Sequence, residues 1–260
     1  MAYKKDIYMR FIMSDIQAEQ KDTIIENYAS DIAKEPLVTF HDEKEIFDYF
    51  SDINKRFKEE NNAEDKNNFR YYTGSSYTKV NELLRGTWDY EINGKLTKET
   101  KDSYQQMAIQ MEKSLNKVSE LPSNIVTYRG TNLKTFAAYN IKSLEDLKSL
   151  EGNYIYDNGF VSTSLLESGC MFQKETTYFG TYNILVKYII PRESKEGVPI
   201  FTSYYTDESE YLINRGSLVK VMDTFVTNGC AYITCVLIPR ELWSKDYNHQ
   251  MELENEVTRH

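Results

Sequence analysis

The sequence predicts an α+β fold, and three observations carry that reading. Through roughly the first half of the chain, apolar residues recur at intervals of three and four, the repeat of an amphipathic helix. After Pro122 the chain turns to β-branched and aromatic runs bounded by Gly, Asn and Pro, which read as strands. The two patterns do not alternate, so a doubly wound parallel sheet is excluded.

The elements follow in order. Residues 15–33 read as a helix with Ile16, Ile24, Tyr28 and Ile32 near one face, ended before Pro36. Residues 42–59 form a stronger one, where Ile46, Phe50, Ile53 and Phe57 recur at 4, 3 and 4, and Asp42 with Glu45 gives an N-cap signature. The Asn-rich stretch 59–68 reads as a loop. A third helix, 76–85, puts Tyr77, Asn81 and Arg85 on one face and Val80, Leu83 and Leu84 on another. Its polar face suits either a cleft wall or an ordinary solvated side. A fourth helix covers 103–118, with Tyr104, Met107, Ala108, Met111, Leu115 and Val118 as its stripe. The strands are expected at 125–129, 158–163, 182–190, 198–202, 209–214, 217–222 and 231–238, interrupted by a short helix at 143–150.

Composition narrows the function. The 260 residues are 40% apolar, enough for a sizeable core, and 21 are tyrosines, which suit half-buried strands and aromatic-walled clefts. A net charge of −9 argues against binding nucleic acid or an anionic membrane through a basic surface. Cys170, Cys230 and Cys235 lack metal spacing and read as buried thiols; the scattered His41, His249 and His260 make no zinc site. The lysines of Met1-Ala2-Tyr3-Lys4-Lys5-Asp6 have no apolar stretch behind them, so no signal peptide is expected in the chain as given. No apolar run approaches the length that crosses a bilayer, about 18 residues or more.

Three short motifs carry chemistry. Arg129 ends a strand and precedes Gly130, a place from which a guanidinium can fork a phosphate. In Ser162-Thr163-Ser164, alternation puts both serines on one face and Thr163 on the other. Their hydroxyls can orient a carboxylate and a sugar. Glu208 and Glu210 stand two apart before Tyr211-Leu212-Ile213; on a strand they would share a face. A carboxylate can hold a ribose hydroxyl and stabilise a cationic sugar carbon, and a second one can orient a nucleophile. Taken singly, these motifs also read as a surface charge, a strand edge or cap, and a solvated strand end.

Together and in this order, Tyr128-Arg129-Gly130, Ser162-Thr163-Ser164 and Glu208-Ser209-Glu210 resemble the Arg–Ser–Glu class of bacterial mono-ADP-ribosyltransferase toxins. Residues 71–86, YYTGSSYTKVNELLRG, are similar to the NAD-contacting helix of the branch holding iota-like binary toxin enzymatic components, the vegetative insecticidal protein and Rho-modifying exoenzymes. The resemblance spans roughly residues 40–240. It implies two packed, mainly antiparallel β-sheets with an NAD cleft between them and helices on the N-terminal side. Residues 1–40 would be a helical extension and 41–260 an ADP-ribosyltransferase catalytic domain, the whole forming one compact unit.

The resemblance also implies roles. Arg129, beside Gly130, would bind the NAD phosphates. Ser162 would hold Glu210, Thr163 would support strand packing, and Glu210 would hold the nicotinamide ribose and stabilise the oxocarbenium ion. Glu208 would position the acceptor; in this family Glu there goes with arginine acceptors. Tyr72, Tyr77, Asn81 and Arg85 match positions that border NAD. Phe172 sits where an aromatic stacks on nicotinamide, with Phe179 as the other candidate. An Arg that often follows is replaced by Gln173-Lys174. Tyr205, or Tyr204 beside it, matches the aromatic that recognises the acceptor. The implied protein is a secreted or injected toxin or effector acting in the target-cell cytosol, with NAD as co-substrate and no metal. It would modify an arginine of a host protein, actin being a candidate. Transfer to water (an NAD glycohydrolase) and a Rho-type GTPase acceptor are the alternatives. A silent docking module is a third, although such domains typically lack the catalytic Glu or Arg. A translocation partner is not visible in the sequence.

Overall fold

The computed structural model describes residues 18–117, 120–173, 175–176, 180–192, 194–200 and 209–243. Its helices are α1 (Ala18–Ile32), α2 (Glu43–Glu60), α3 (Ala63–Tyr71), α4 (Tyr77–Arg85), α5 (Tyr90–Asn93), α6 (Lys98–Lys117) and α7 (Arg240–Trp243). Its strands are β1 (Ile125–Thr131), β2 (Tyr154–Asp157), β3 (Val161–Ser164), β4 (Glu175–Thr176), β5 (Gly180–Thr181), β6 (Ile184–Ile190), β7 (Gly197–Pro199), β8 (Glu210–Ile213), β9 (Ser217–Thr227) and β10 (Cys230–Ile238). The α+β reading holds, with helices first and strands second.

Local chemistry explains most boundaries. Asp42 accepts the Glu45 amide at 2.9 Å and Glu45 reaches back to the His41 amide at 2.8 Å, so α2 starts where its cap allows. Helix α2 then buries Ile46, Phe50, Ile53 and Phe57. The stretch read as an Asn-rich loop is instead largely helix α3. Asn62 and Asp65 form a reciprocal capping box, and Phe69 is the single apolar side chain that α3 buries, so there was no periodicity to read. Helix α6 begins at Lys98, ahead of its first apolar residue, because its opening turns are polar. The strand expected from residue 158 begins at Val161, since the Asp157 carboxylate accepts the Gly159 amide at 2.8 Å and folds 157–160 into a turn. Residues 143–150 contain a 3₁₀ helix, Glu145–Leu150.

The main sheet runs β2-β9-β10-β6-β1-β3-β8-β7, and β6 with β10 is its parallel pair. Among the described residues one pair, Tyr128 with Ser164, joins β1 to β3. By contrast β1 pairs with β6 along its whole length, Ile125–Thr131 against Ile190–Ile184. The sheet is thus a five-strand half and a three-strand half that touch at one point and part beyond it. This is the form the two expected sheets take.

Both faces are covered. Val219, Val221, Cys235 and Leu237 join the larger core with Phe50, Phe69, Met111 and Leu115 of the helices. The intervening Leu218, Val236 and Ile238 join a second core with Ile25, Ala29 and Ile32 of α1. Alternate residues of a strand face opposite ways, so α1 covers the side of β9 and β10 that the other helices leave open. Lys220 anchors it further: its ammonium lies 3.1 Å from Glu26 and 4.4 Å from the centre of the Tyr154 ring.

A buried charge network ties α6 to the three-strand half. Arg240 donates from Nη1 to Glu112 and from Nε to Glu196, both at 2.8 Å, and Arg215 donates to the other Glu112 oxygen at 2.7 Å. None of the three cysteines is in a disulfide; Cys170 and Cys235 are buried as expected and Cys230 is half-buried, and burial holds Cys235 up at about 12.

Candidate active site

The site forms where β1 and β3 part. From β1, the Arg129 guanidinium reaches across the opening, and Nη1 donates to the Ser162 carbonyl at 2.6 Å. That carbonyl would otherwise lack a ladder partner on this side, so the arginine closes the gap that the sheet leaves. Among the described residues Arg129 makes no ion pair. Its neighbour Gly130 lies against the backbone of Met171 and Phe172: an added Cβ would stand 2.1 Å from the Phe172 nitrogen. Glycine is required there by close approach rather than by its dihedral freedom.

On β3, Thr163 is buried and donates to the Tyr211 carbonyl at 2.7 Å, which locks β3 to β8. The register sets Ser164 opposite Glu210 and Ser162 opposite Leu212. Both serines share the face of Glu210, as alternation requires, but Ser164 is the one directly across and Ser162 lies on the diagonal. Glu210 opens β8 and is only 7% exposed. The residue before it, Ser209, takes a left-handed φ of 44° while its carbonyl accepts the Leu165 amide at 2.9 Å. The chain therefore turns into strand at Glu210, one residue after the expected start.

The far wall is α4. A π-helical turn, Tyr72–Ser76, joins it to α3, and a left-handed Gly86 ends it. Tyr72 is buried, and its hydroxyl accepts from Asn81 Nδ2 at 2.8 Å, while Asn81 Oδ1 accepts the Phe160 amide at 2.9 Å. Arg85 forks Asp157 with Nε at 2.7 Å and Nη2 at 2.9 Å, and Nη2 also reaches the Phe160 carbonyl at 3.2 Å. The polar face of α4 is thus fastened to the turn that leads into β3. Tyr77, on the same face, is 48% exposed at the open end.

Electrostatics tie the pieces together. Burial, then the charge of Glu210, pushes the Tyr72 phenol far above its ordinary range, while Arg85 and Arg129 pull it the other way. Burial alone would lower Arg85, but the facing Asp157 overcomes that and the guanidinium ends above its ordinary value. Glu210, Arg129, Arg85 and Tyr72 are therefore neighbours around one opening. A guanidinium and a buried carboxylate on the two strands that flank β3 suit a ligand with an anionic part and a part that becomes cationic.

Phe172 packs on the strands. Its ring packs edge-on to Tyr232 at 5.5 Å, and Tyr232 meets Phe225 at 6.1 Å. Glu208, Tyr205, Tyr204 and Phe179 lie outside the described residues. Residues the sequence reading passed over are Asp157, Gly159 and Tyr182. Asp157-Asn158-Gly159, two residues before Ser-Thr-Ser, shows in the sequence only as an ordinary turn. Tyr182 shows only in the fold: burial and Tyr77 raise its phenol and Arg129 lowers it, so it stands at the same mouth. Among the described residues no group of three or more His, Cys, Asp or Glu could hold a metal ion.

A family model described as ADP-ribosyltransferase exoenzyme matches residues 39–254. No curated protein matches the chain. Among solved structures, C3stau2 from S. aureus with NAD is 19% identical, covers 79% of this chain and 100% of its own, and has a TM-score of 0.61. The Clostridium limosum C3 exoenzyme is 20% identical over 80% of this chain and 99% of its own, with a TM-score of 0.60. BECa of a C. perfringens binary enterotoxin, solved with NADH, is 16% identical over 78% of this chain and 50% of its own, with a TM-score of 0.58.

Proposed function

The chain belongs to the ADP-ribosyltransferase exoenzyme family, and on that premise we propose that it transfers ADP-ribose from NAD to an arginine of a host protein, releasing nicotinamide. The observation that carries this reading is the buried Glu210 carboxylate opposite Ser164, with Arg129 spanning the parted strands beside it.

The residues present fit the substrate. Arg129 is a cation without an ionic partner among the described residues, as a diphosphate requires, and Gly130 leaves room for the loop at 171–173 to lie close against it. Arg129 holds the phosphates. Glu210 holds the nicotinamide ribose and offsets the positive charge that develops there as nicotinamide leaves. Its burial makes that charge worth more than it would be in water. Ser162 and Ser164 fix the carboxylate from β3. Tyr77 borders the bound dinucleotide, and Phe172, or Phe179, covers the nicotinamide. The ring of Phe172 would have to leave Tyr232 to do so. Glu208 positions the acceptor: a carboxylate can take two N–H bonds from a guanidinium and balance its charge. Tyr205 recognises the acceptor protein, for which actin is a candidate. Residues 41–260 form the catalytic domain and 1–40 an extension, and the protein acts in the target-cell cytosol after secretion or injection.

Incubating the protein with labelled NAD and a cell lysate tests this. A discrete labelled protein is expected, with the label located on an arginine by mass spectrometry. Glu208→Gln is expected to lose labelling while keeping most nicotinamide release. Wild-type release of nicotinamide with no labelled protein would replace the reading with NAD hydrolysis, and label on another side chain would overturn the arginine assignment.

A further inference from the structure

The Nε–Nη2 edge of Arg85 is the edge with which a guanidinium forks a phosphate. Here it is taken by Asp157, at 2.7 and 2.9 Å, and Nη2 adds the Phe160 carbonyl. Asp157 in turn accepts the Gly159 amide, and Asn81 takes the Phe160 amide. Gly159 is pressed so closely on this pair that a Cβ would stand 2.8 Å from Asn81 Oδ1 and 2.9 Å from Arg85 Nε. Three residues of this turn, Asp157, Gly159 and Phe160, are thus gripped by α4 just before β3 begins.

Two carbonyls of this segment, Phe160 and Ser162, lie two residues apart and accept from two different guanidiniums, Arg85 and Arg129. Arg85 carries its own counter-charge; Arg129 has none among the described residues. The two arginines of the cleft therefore differ in kind.

Resting on the NAD-binding reading above, we infer that Asp157 is a positioning residue for the dinucleotide. It commits Arg85 to bracing α4 against the entry of β3. Arg129 is left as the arginine that meets the phosphates, and the brace sets where the Ser162 carbonyl holds it. Asp157 does not touch the substrate; it acts through Arg85 and the 157–160 turn.

The competing role for Arg85, direct phosphate binding, makes the opposite forecast. If Arg85 met phosphate, removing the Asp157 charge would free the guanidinium and strengthen NAD binding. If it is a brace, removing either partner spoils the same geometry. NAD KM and kcat are measured for wild type, Asp157→Asn, Arg85→Met and the double variant, with calorimetric NAD affinity beside them, at a temperature where each is folded by circular dichroism. Each single variant is expected to raise KM roughly tenfold, a typical size for a coupled pair, and the double variant no further, with kcat little changed. A lower or unchanged KM in Asp157→Asn, losses that add in the double variant, or a fall confined to kcat overturns the inference. Wild-type protein that neither binds nor turns over NAD would instead sink the reading on which it rests.

Discussion

Gly130 bears a tighter constraint than the arginine before it. An alanine there would drive its Cβ into backbone atoms of Phe172 at 2.1 Å, which no rotamer change can relieve. Gly130→Ala is expected to cost about 1–3 kcal/mol, the range for overpacking, and to raise the NAD KM because it lifts the loop beside Arg129. Denaturant unfolding and a KM measurement check both halves. A variant with unchanged stability and KM would show the loop free to move. At this scale the grouping of Arg129, Ser162 and Glu210 was legible, because their motifs and order resemble one family's set, and the fold does bring them together. Asp157 was not, because an aspartate before Asn-Gly has an ordinary turn explanation and its partner Arg85 lies 72 positions away. The burial of Tyr72 and its hydrogen bond from Asn81 were not legible, since both depend on packing between elements.

At the scale of elements, the join between helices and the three-strand half depends on charge as well as apolar packing. Arg240 sits 6% exposed between Glu112 of α6 and Glu196 beside β7. Burial raises the Glu196 carboxyl even against the facing guanidinium, so losing that guanidinium would strand the buried Glu196 and leave Glu112 to Arg215 alone. Arg240→Met is expected to destabilise the fold by about 3–5 kcal/mol, read as a lowered denaturant midpoint at unchanged slope. A change under 1 kcal/mol, about the value of a surface pair, would mean that the network is not needed. Helix α2 was legible to its cap, since Asp42 and Glu45 carry a local signal that acts within one turn. Helix α3 was hidden because a helix with one buried apolar residue has no stripe, and β2 because Tyr154–Asp157 is half-exposed throughout. Register is a long-range property, and nothing local forecast that β1 and β3 would share a single pair.

The whole molecule stores protons that its unfolded chain would release in alkali. Burial raises the Tyr72 and Tyr211 phenols well above their ordinary value of 10.0, and Cys235 from 9.0 to about 12. Folded pKa values above the unfolded ones mean that the unfolded state loses its protons first. Stability is therefore intact below about pH 9 and falls as pH rises past the unfolded values, by up to about 1.4 kcal/mol per pH unit for each group. Unfolding at several pH values between about 8 and 11 should show this decline, and Tyr72→Phe should soften it. A flat profile would mean that these groups reach solvent in the folded state. The same burial surrounds Glu210 with Tyr72 and the two arginines, and in the proposed function this carboxylate performs the chemistry. The direct measurement is nicotinamide release from NAD by Glu210→Gln, a change that keeps shape and removes charge. With the fold unchanged by circular dichroism, a loss of roughly a hundredfold or more is expected. Full activity in that variant would contradict the account.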